Sequence, residues 1–227
     1  MAKRTPENNR RKLIEEQRKK QRSGEKRATY LTVGITTLLG IALIGGAVYY
    51  SNTGENADVA LRAVGLAADA AGCDAAKEEP IPKEAEDDAV KHTPKNGDRV
   101  EYAIAPPSSG RHNPTPLPVG AKKFYSREDN PASEQAVHNL EHGYVVVWYD
   151  NKATDAQIDV LKKAADSAEG KFLIVPWGRQ DFPDNKHIVL TSWAQKQACS
   201  EVSGAVMQDF IDNFGGQKSK APEKNAV

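Results

Sequence analysis

Between Tyr30 and Tyr50 the chain runs YLTVGITTLLGIALIGGAVYY without one charged side chain. As a helix rising ~1.5 Å per residue, this segment extends about 32 Å, enough to cross the hydrocarbon core of a bilayer. Its ends carry Tyr30, Tyr49 and Tyr50, whose amphipathic rings favour the headgroup level. Residues 1–29 hold eleven Lys and Arg against four Glu. That asymmetry predicts a single-pass protein of the cell membrane, with a cytoplasmic N-terminus and an extracytoplasmic C-terminal domain. The run is longer than the apolar core of a cleaved signal peptide, and SNTGEN after it offers no Ala-x-Ala site. An uncleaved anchor is therefore expected, and the first predicted partner is the lipid bilayer, through residues 30–50.

Charge separates along the chain. The formal net charge is zero, yet the residues after 29 carry twenty basic against twenty-seven acidic side chains. The only basic region is the cytoplasmic tail, where topology accounts for it and anionic headgroups are its natural contact. Nucleic acid is not an expected partner. The two cysteines, Cys73 and Cys199, both fall on the exported side, in a compartment that tolerates disulfides. One bridge between them is expected, with two free thiols as the alternative. Closing so long a loop stabilises by at most about 4–5 kcal/mol in the chain-entropy description.

Five regions follow. Residues 1–29 form the basic tail and 30–50 the membrane helix. Residues 51–97 read as a juxtamembrane helix and a charged linker, solvated or laid as an arm across the domain. Residues 98–215 make the exported domain, and 216–227 a disordered tail. Within the domain, RVEYAIAPP and KKFYS suggest short strands on either side of a proline-rich loop. A helix ASEQAVHNLEH is expected, with Asn130 as cap and Pro131 at its first position, stopping at Gly143. Strands are expected at Tyr144–Tyr149, Phe172–Trp177 and His187–Trp193, from their β-branched and aromatic content. Helices are expected at Asp155–Ala168, capped by Thr154, and at Ser200–Phe214. The core order strand–helix–strand–strand–helix predicts an α+β fold, a small mixed sheet with packed helices, preceded by one transmembrane helix.

The chemistry concentrates in three histidines. His138 and His142 lie four apart and share one helix face, the spacing at which two imidazoles reach one divalent ion. Glu141 completes an H-x-x-E-H pattern, but Gly143 ends the helix too soon for the peptidases that use it. His112 sits on PPSSGRH, a stiff loop able to hold a third imidazole beside the helix end. Zinc or copper suits the set His112, His138 and His142, and the sequence alone does not separate them. Structural roles compete with this reading: His142 can complement the helix dipole, and His138 can pin the loop through a carbonyl. His92 is expected to be exposed in the linker and His187 to be structural. Trp148, Trp177 and Trp193 are expected to pack in the core. The chain contains no Gly-rich phosphate loop, no CxxC pair and no G-x-S-x-G elbow.

APPSSGRH, VHNLEHGYVVVWY and VLTSW together resemble a bacterial family of exported, membrane-anchored proteins catalogued as domain of unknown function 3105. The resemblance covers about Asp98 to Phe214, plus Cys73. It implies the topology and the domain limits, but no activity. Its signature positions here are Pro106, Pro107, Gly110, His112, His138, Glu141, His142, Gly143 and Trp193. The leading expectation is a domain binding a transition metal or small ligand at this face, with Pro106, Pro107, Gly110, His112 and Trp193 as ligand contacts. An envelope enzyme with His138 or His142 as general base and Glu141 as the orienting carboxylate is the second. A structural module for an unknown envelope partner is the third.

Overall fold

The computed structural model describes residues 60–120 and 122–226. The expected basic tail and membrane helix lie outside the described residues. Among those described, no helix is long and apolar enough to cross a membrane.

A five-stranded mixed sheet organises the domain. Its strands are β1 (Lys77–Glu78), β2 (Val145–Tyr149), β3 (Phe172–Pro176), β4 (Ile188–Ser192) and β5 (Gln195–Cys199). Their spatial order is β1-β5-β4-β2-β3. Only β2 and β3 run parallel, and α2 (Asp155–Ser167) makes the crossover between them. Thr154 and Gln157 close a capping box at its start. Two further α-helices among the described residues are α1 (Ser133–Glu141) and α3 (Gly204–Phe214).

Alternation along the strands divides the core into two layers. Val145, Val147 and Tyr149 of β2 face one way, with Phe172 and Ile174 of β3 and Ile188 and Leu190 of β4. Leu161 and Ala164 of α2 and Val206 and Phe210 of α3 cover them. Val146, Trp148, Leu173, Val175 and Val189 face the other way, against Ala136 and Leu140 of α1. Burial on both sides explains why these strands read as unbroken apolar runs.

Four local expectations need correction. The helix before β2 has Ala132, not Asn130, at its N-cap, and no side chain caps it. Asn130 instead takes a positive φ of 45°. Residues 99–103 form no strand, and Phe124 makes only an isolated bridge to Ile174. Residues 195–199 form a further strand before the last helix: a turn at Trp193–Ala194 folds β5 back onto β4. The last helix accordingly begins at Gly204, with Ser203 accepting the Val206 N–H.

Both ends of the described chain are drawn into the fold. The expected linker contributes β1, which pairs with β5, and the bridge Cys73–Cys199 joins it to the same strand. The tail expected to be disordered is packed instead, with Ser219 and Ala221 buried. Lys171 Nζ explains this, donating to the carbonyls of His142, Lys224 and Ala226 at 2.8, 2.9 and 2.6 Å.

Candidate metal centre

Helix α1 carries the chemistry on the side turned away from the sheet. His138 and Glu141 are three apart on it, so they point into one space. The helix must end there. Gly143 takes φ +82°, and a Cβ on it would stand 3.1 Å from the Lys224 side chain and 3.2 Å from the Gly216 carbonyl oxygen. A side chain at this position would push the tail away from the site.

Above the helix lies the proline-rich loop. Asn139 of α1 grips it from below, accepting the Leu117 N–H at 2.9 Å and donating to the Leu117 carbonyl at 3.2 Å. Asn113 holds it from above, donating to Thr93 Oγ1 and the Asp98 carbonyl, both at 2.9 Å. Residues 91–93 pair with this loop as a fragment of ladder. His112 N–H donates to the Lys91 carbonyl at 2.9 Å, and Thr93 N–H to the His112 carbonyl at 2.7 Å. The resulting parallel bridge sets His92 beside His112. His92 is therefore not an exposed linker residue, because long-range backbone pairing carries it into the centre.

Four ligand atoms, from His92, His112, His138 and Glu141, lie within 4.8 Å of one another. Their hydrogen bonds fix which atoms are free. His112 Nδ1 sits 2.8 Å from the Gly110 carbonyl, and His138 Nδ1 2.7 Å from the Asn113 carbonyl. A carbonyl oxygen only accepts, so each Nδ1 carries a proton and Nε2 is the nitrogen each ring turns toward the centre. Metal-ligating imidazoles are held in this way. His112 Nε2 stands 3.0 Å from Glu141 Oε2. Two lone pairs cannot face each other at that distance, so a proton or a metal ion stands between them. His92 Nε2 is buried with no hydrogen-bond partner and lies 3.8 Å from the same oxygen. Ligands of a tetrahedral ion at about 2.0–2.1 Å are about 3.3 Å apart, close to the spacing of these contacts.

Electrostatics keeps the donors in binding form. Burial pushes the His138 imidazole down to about 4, against the pull of its Asn113 hydrogen bond. Burial also lowers His92, with help from His112, and lowers His142. These rings are neutral at pH 7 and keep their lone pairs. Burial pushes Glu141 up, but the contacts from His112 and Lys91 outweigh it and hold the carboxylate at about 2. Lys91 Nζ stands 3.0 Å from Glu141 Oε1, outside hydrogen-bond geometry, and 2.8 Å from Glu223 Oε1.

His142, expected as a ligand, stands one step outward. Its Nε2 is 3.2 Å from His138 Nε2 and 3.5 Å from Glu223 Oε2. Glu141, His142 and Glu223 form a second, less buried group with the spacing of metal ligands. Glu223 had no signal in the sequence, since it arrives on the tail.

The other expected contacts scatter. Gly110 supplies the carbonyl for His112, and Trp193 packs its ring edge-on, 6.4 Å from the His112 ring. Pro107 lines a small apolar cavity, and Pro106 a separate one over β5. His187 stays apart, 3.2 Å from the buried Asp150 carboxylate. A cavity of about 310 Å³, lined by Lys91, Trp193, Lys220 and Pro222, reaches Glu141 from outside.

No curated protein and no solved structure matches the chain. A family model described as "Protein of unknown function (DUF3105)" matches residues 92–227, a span that opens on His92 and contains every donor of this centre, and the chain belongs to that family.

Proposed function

We propose that this is a membrane-anchored, extracytoplasmic domain that binds one transition-metal ion through His92, His112, His138 and Glu141, with His142 and Glu223 on the entry side. One observation carries the reading: both Nδ1 atoms are committed to carbonyls, while the Nε2 atoms and a carboxylate oxygen converge on one space. Imidazole with one carboxylate suits Zn²⁺ or Cu²⁺. The domain's place outside the membrane rests on the charged leader, the apolar run at 30–50 and the Cys73–Cys199 bridge, which fits an oxidising compartment. The acid–base reading is the weaker. Glu141 has no exposed surface and is held between Lys91 and His112, which leaves it little room to orient a base for an incoming substrate.

The test uses the full chain in detergent, stripped with chelator and titrated with Zn²⁺ and with Cu²⁺. The expected result is one equivalent bound, lost in His112→Ala and His138→Ala and kept in His187→Ala. No uptake at micromolar metal, or equal uptake in all variants, overturns the proposal. Labelling Cys-substituted positions near the C-terminus in intact cells tests the topology, and protection from an impermeant reagent overturns it.

A further inference from the structure

A second site lies apart from the histidines, over the edge of the sheet where β1 meets β5. Lys196 of β5 stands opposite Lys77 of β1. Its side chain is buried beneath the loop that contains Ile104 and Pro106, in a cavity of about 400 Å³. Phe182, Val189 and Ala198 give the cavity apolar walls. Among the described residues the Lys196 ammonium has no hydrogen-bond partner. Its nearest carboxylate oxygen, Glu79 Oε1, is 4.0 Å away. Glu79 is itself buried, and this oxygen accepts no hydrogen bond; Lys77 Nζ, at 3.1 Å, is outside hydrogen-bond geometry.

A lysine buried with no closer counter-charge than 4.0 Å contributes little to stability. It is the environment that makes an amine reactive. Burial pulls Lys196 down to about 8, Glu79 opposing and Lys77 assisting. Near neutral pH an appreciable share of it is free amine with a nucleophilic lone pair. The cavity does not favour an anion. Lys186 is already taken by Asp74 and the Gly72 carbonyl, and Glu79 repels negative charge. The apolar walls suit a small uncharged molecule.

We propose that this cavity is a covalent site at which Lys196 condenses with a small aldehyde or ketone. The nitrogen lone pair forms a bond to the carbonyl carbon as the C=O π pair moves onto oxygen. Glu79 accepts one proton from that nitrogen and delivers it to this oxygen, giving the neutral carbinolamine. A proton from solvent joins the hydroxyl group, the C–O bond breaks and water leaves; the nitrogen lone pair completes the C=N bond, and the last nitrogen proton returns to solvent. Amine and carbonyl become imine and water, with no oxidant or reductant.

The test treats the full chain, with chelator present so that the metal centre plays no part, with propanal and cyanoborohydride at pH 7.5. Cyanoborohydride reduces the imine to a stable propyl-lysine, which peptide mapping locates. Lys196 is expected to be alkylated at least ten-fold faster than the exposed Lys162 and Lys163 of α2. Lys196→Met, which keeps the length and burial of the side chain, is expected to fold and to lose the fast adduct. Alkylation of Lys196 no faster than of Lys162, in protein with its disulfide intact, overturns the proposal. So does a fast adduct that persists in folded Lys196→Met.

Discussion

On one face of the sheet, α2 and α3 meet the strands through Leu161, Val206 and Phe210, and what they enclose is almost wholly apolar. On the other, α1 sets Ala136 and Leu140 against the strands and turns His138 and Glu141 outward beneath two loops. The first face is held by dispersion and exclusion of water, which tolerate small adjustments of shape. The second is held by directed contacts, Asn113 and Asn139 to backbone and His112 to Glu141, with Lys91 pairing Glu141 by charge. A buried polar group there loses more by losing its partner than it gained by having one. The difference separates the part of the domain that supplies stability from the part that holds donors in place.

That separation can be broken or sharpened by experiment. The largest effect is expected on the apolar face. Phe210→Ala should cost about 3–5 kcal/mol by leaving a cavity, read by denaturant titration, while the folded fraction still binds one metal equivalent. Loss of stoichiometry there would mean the faces are coupled. Metal at a thousandfold above its dissociation constant should then add about 4 kcal/mol to the parent. Phe210→Ala should gain the same increment and His138→Ala none.

On the polar face, Glu141→Ala should cost about 3 kcal/mol without metal, because Lys91 loses a buried counter-charge and His112 Nε2 its partner. Acid should do related damage. The His138 ring is depressed to about 4 in the folded state against an ordinary value near 6.5. Between those values the unfolded chain binds the proton and the folded chain does not. Its contribution is therefore complete above 6.5 and is lost as pH falls toward 4, on the order of 3 kcal/mol. Chelator-treated protein unfolded across that range should show the decline, and His138→Gln should flatten it. The smallest effect is expected for Lys171→Met, about 1–2 kcal/mol from the released carbonyls. Faster amide exchange at residues 223–226, with the centre of the sheet unchanged, would check it.

Much of the apolar face was legible in the sequence and only half of the polar one. The runs 145–149, 172–176 and 188–192 announce themselves because each strand is covered on both sides. Gln195–Cys199 does not, since its polar residues are buried by β1 and by loops that no local pattern foretells. His138, Glu141 and His142 declare a common site through helical spacing, and His112 through the stiffness of its loop. His92 has no such signature. Backbone pairing between residues 91–93 and His112 brings it in, and neither stretch shows the alternation of a strand. Glu223 and the tail were illegible for another reason: their order is supplied by Lys171, about fifty residues upstream, through bonds to carbonyls that every residue possesses.

The grip of Lys171 on the last residues also sets an order of assembly. His92 enters first in synthesis, the α1 donors follow, and Glu223 comes only after the whole sheet and α3 have been made. Until residues 223–226 exist, Glu223 cannot close over Lys91 and His142. The histidines can therefore meet before this corner is shut, and the outer wall of the centre is the last part of it to form.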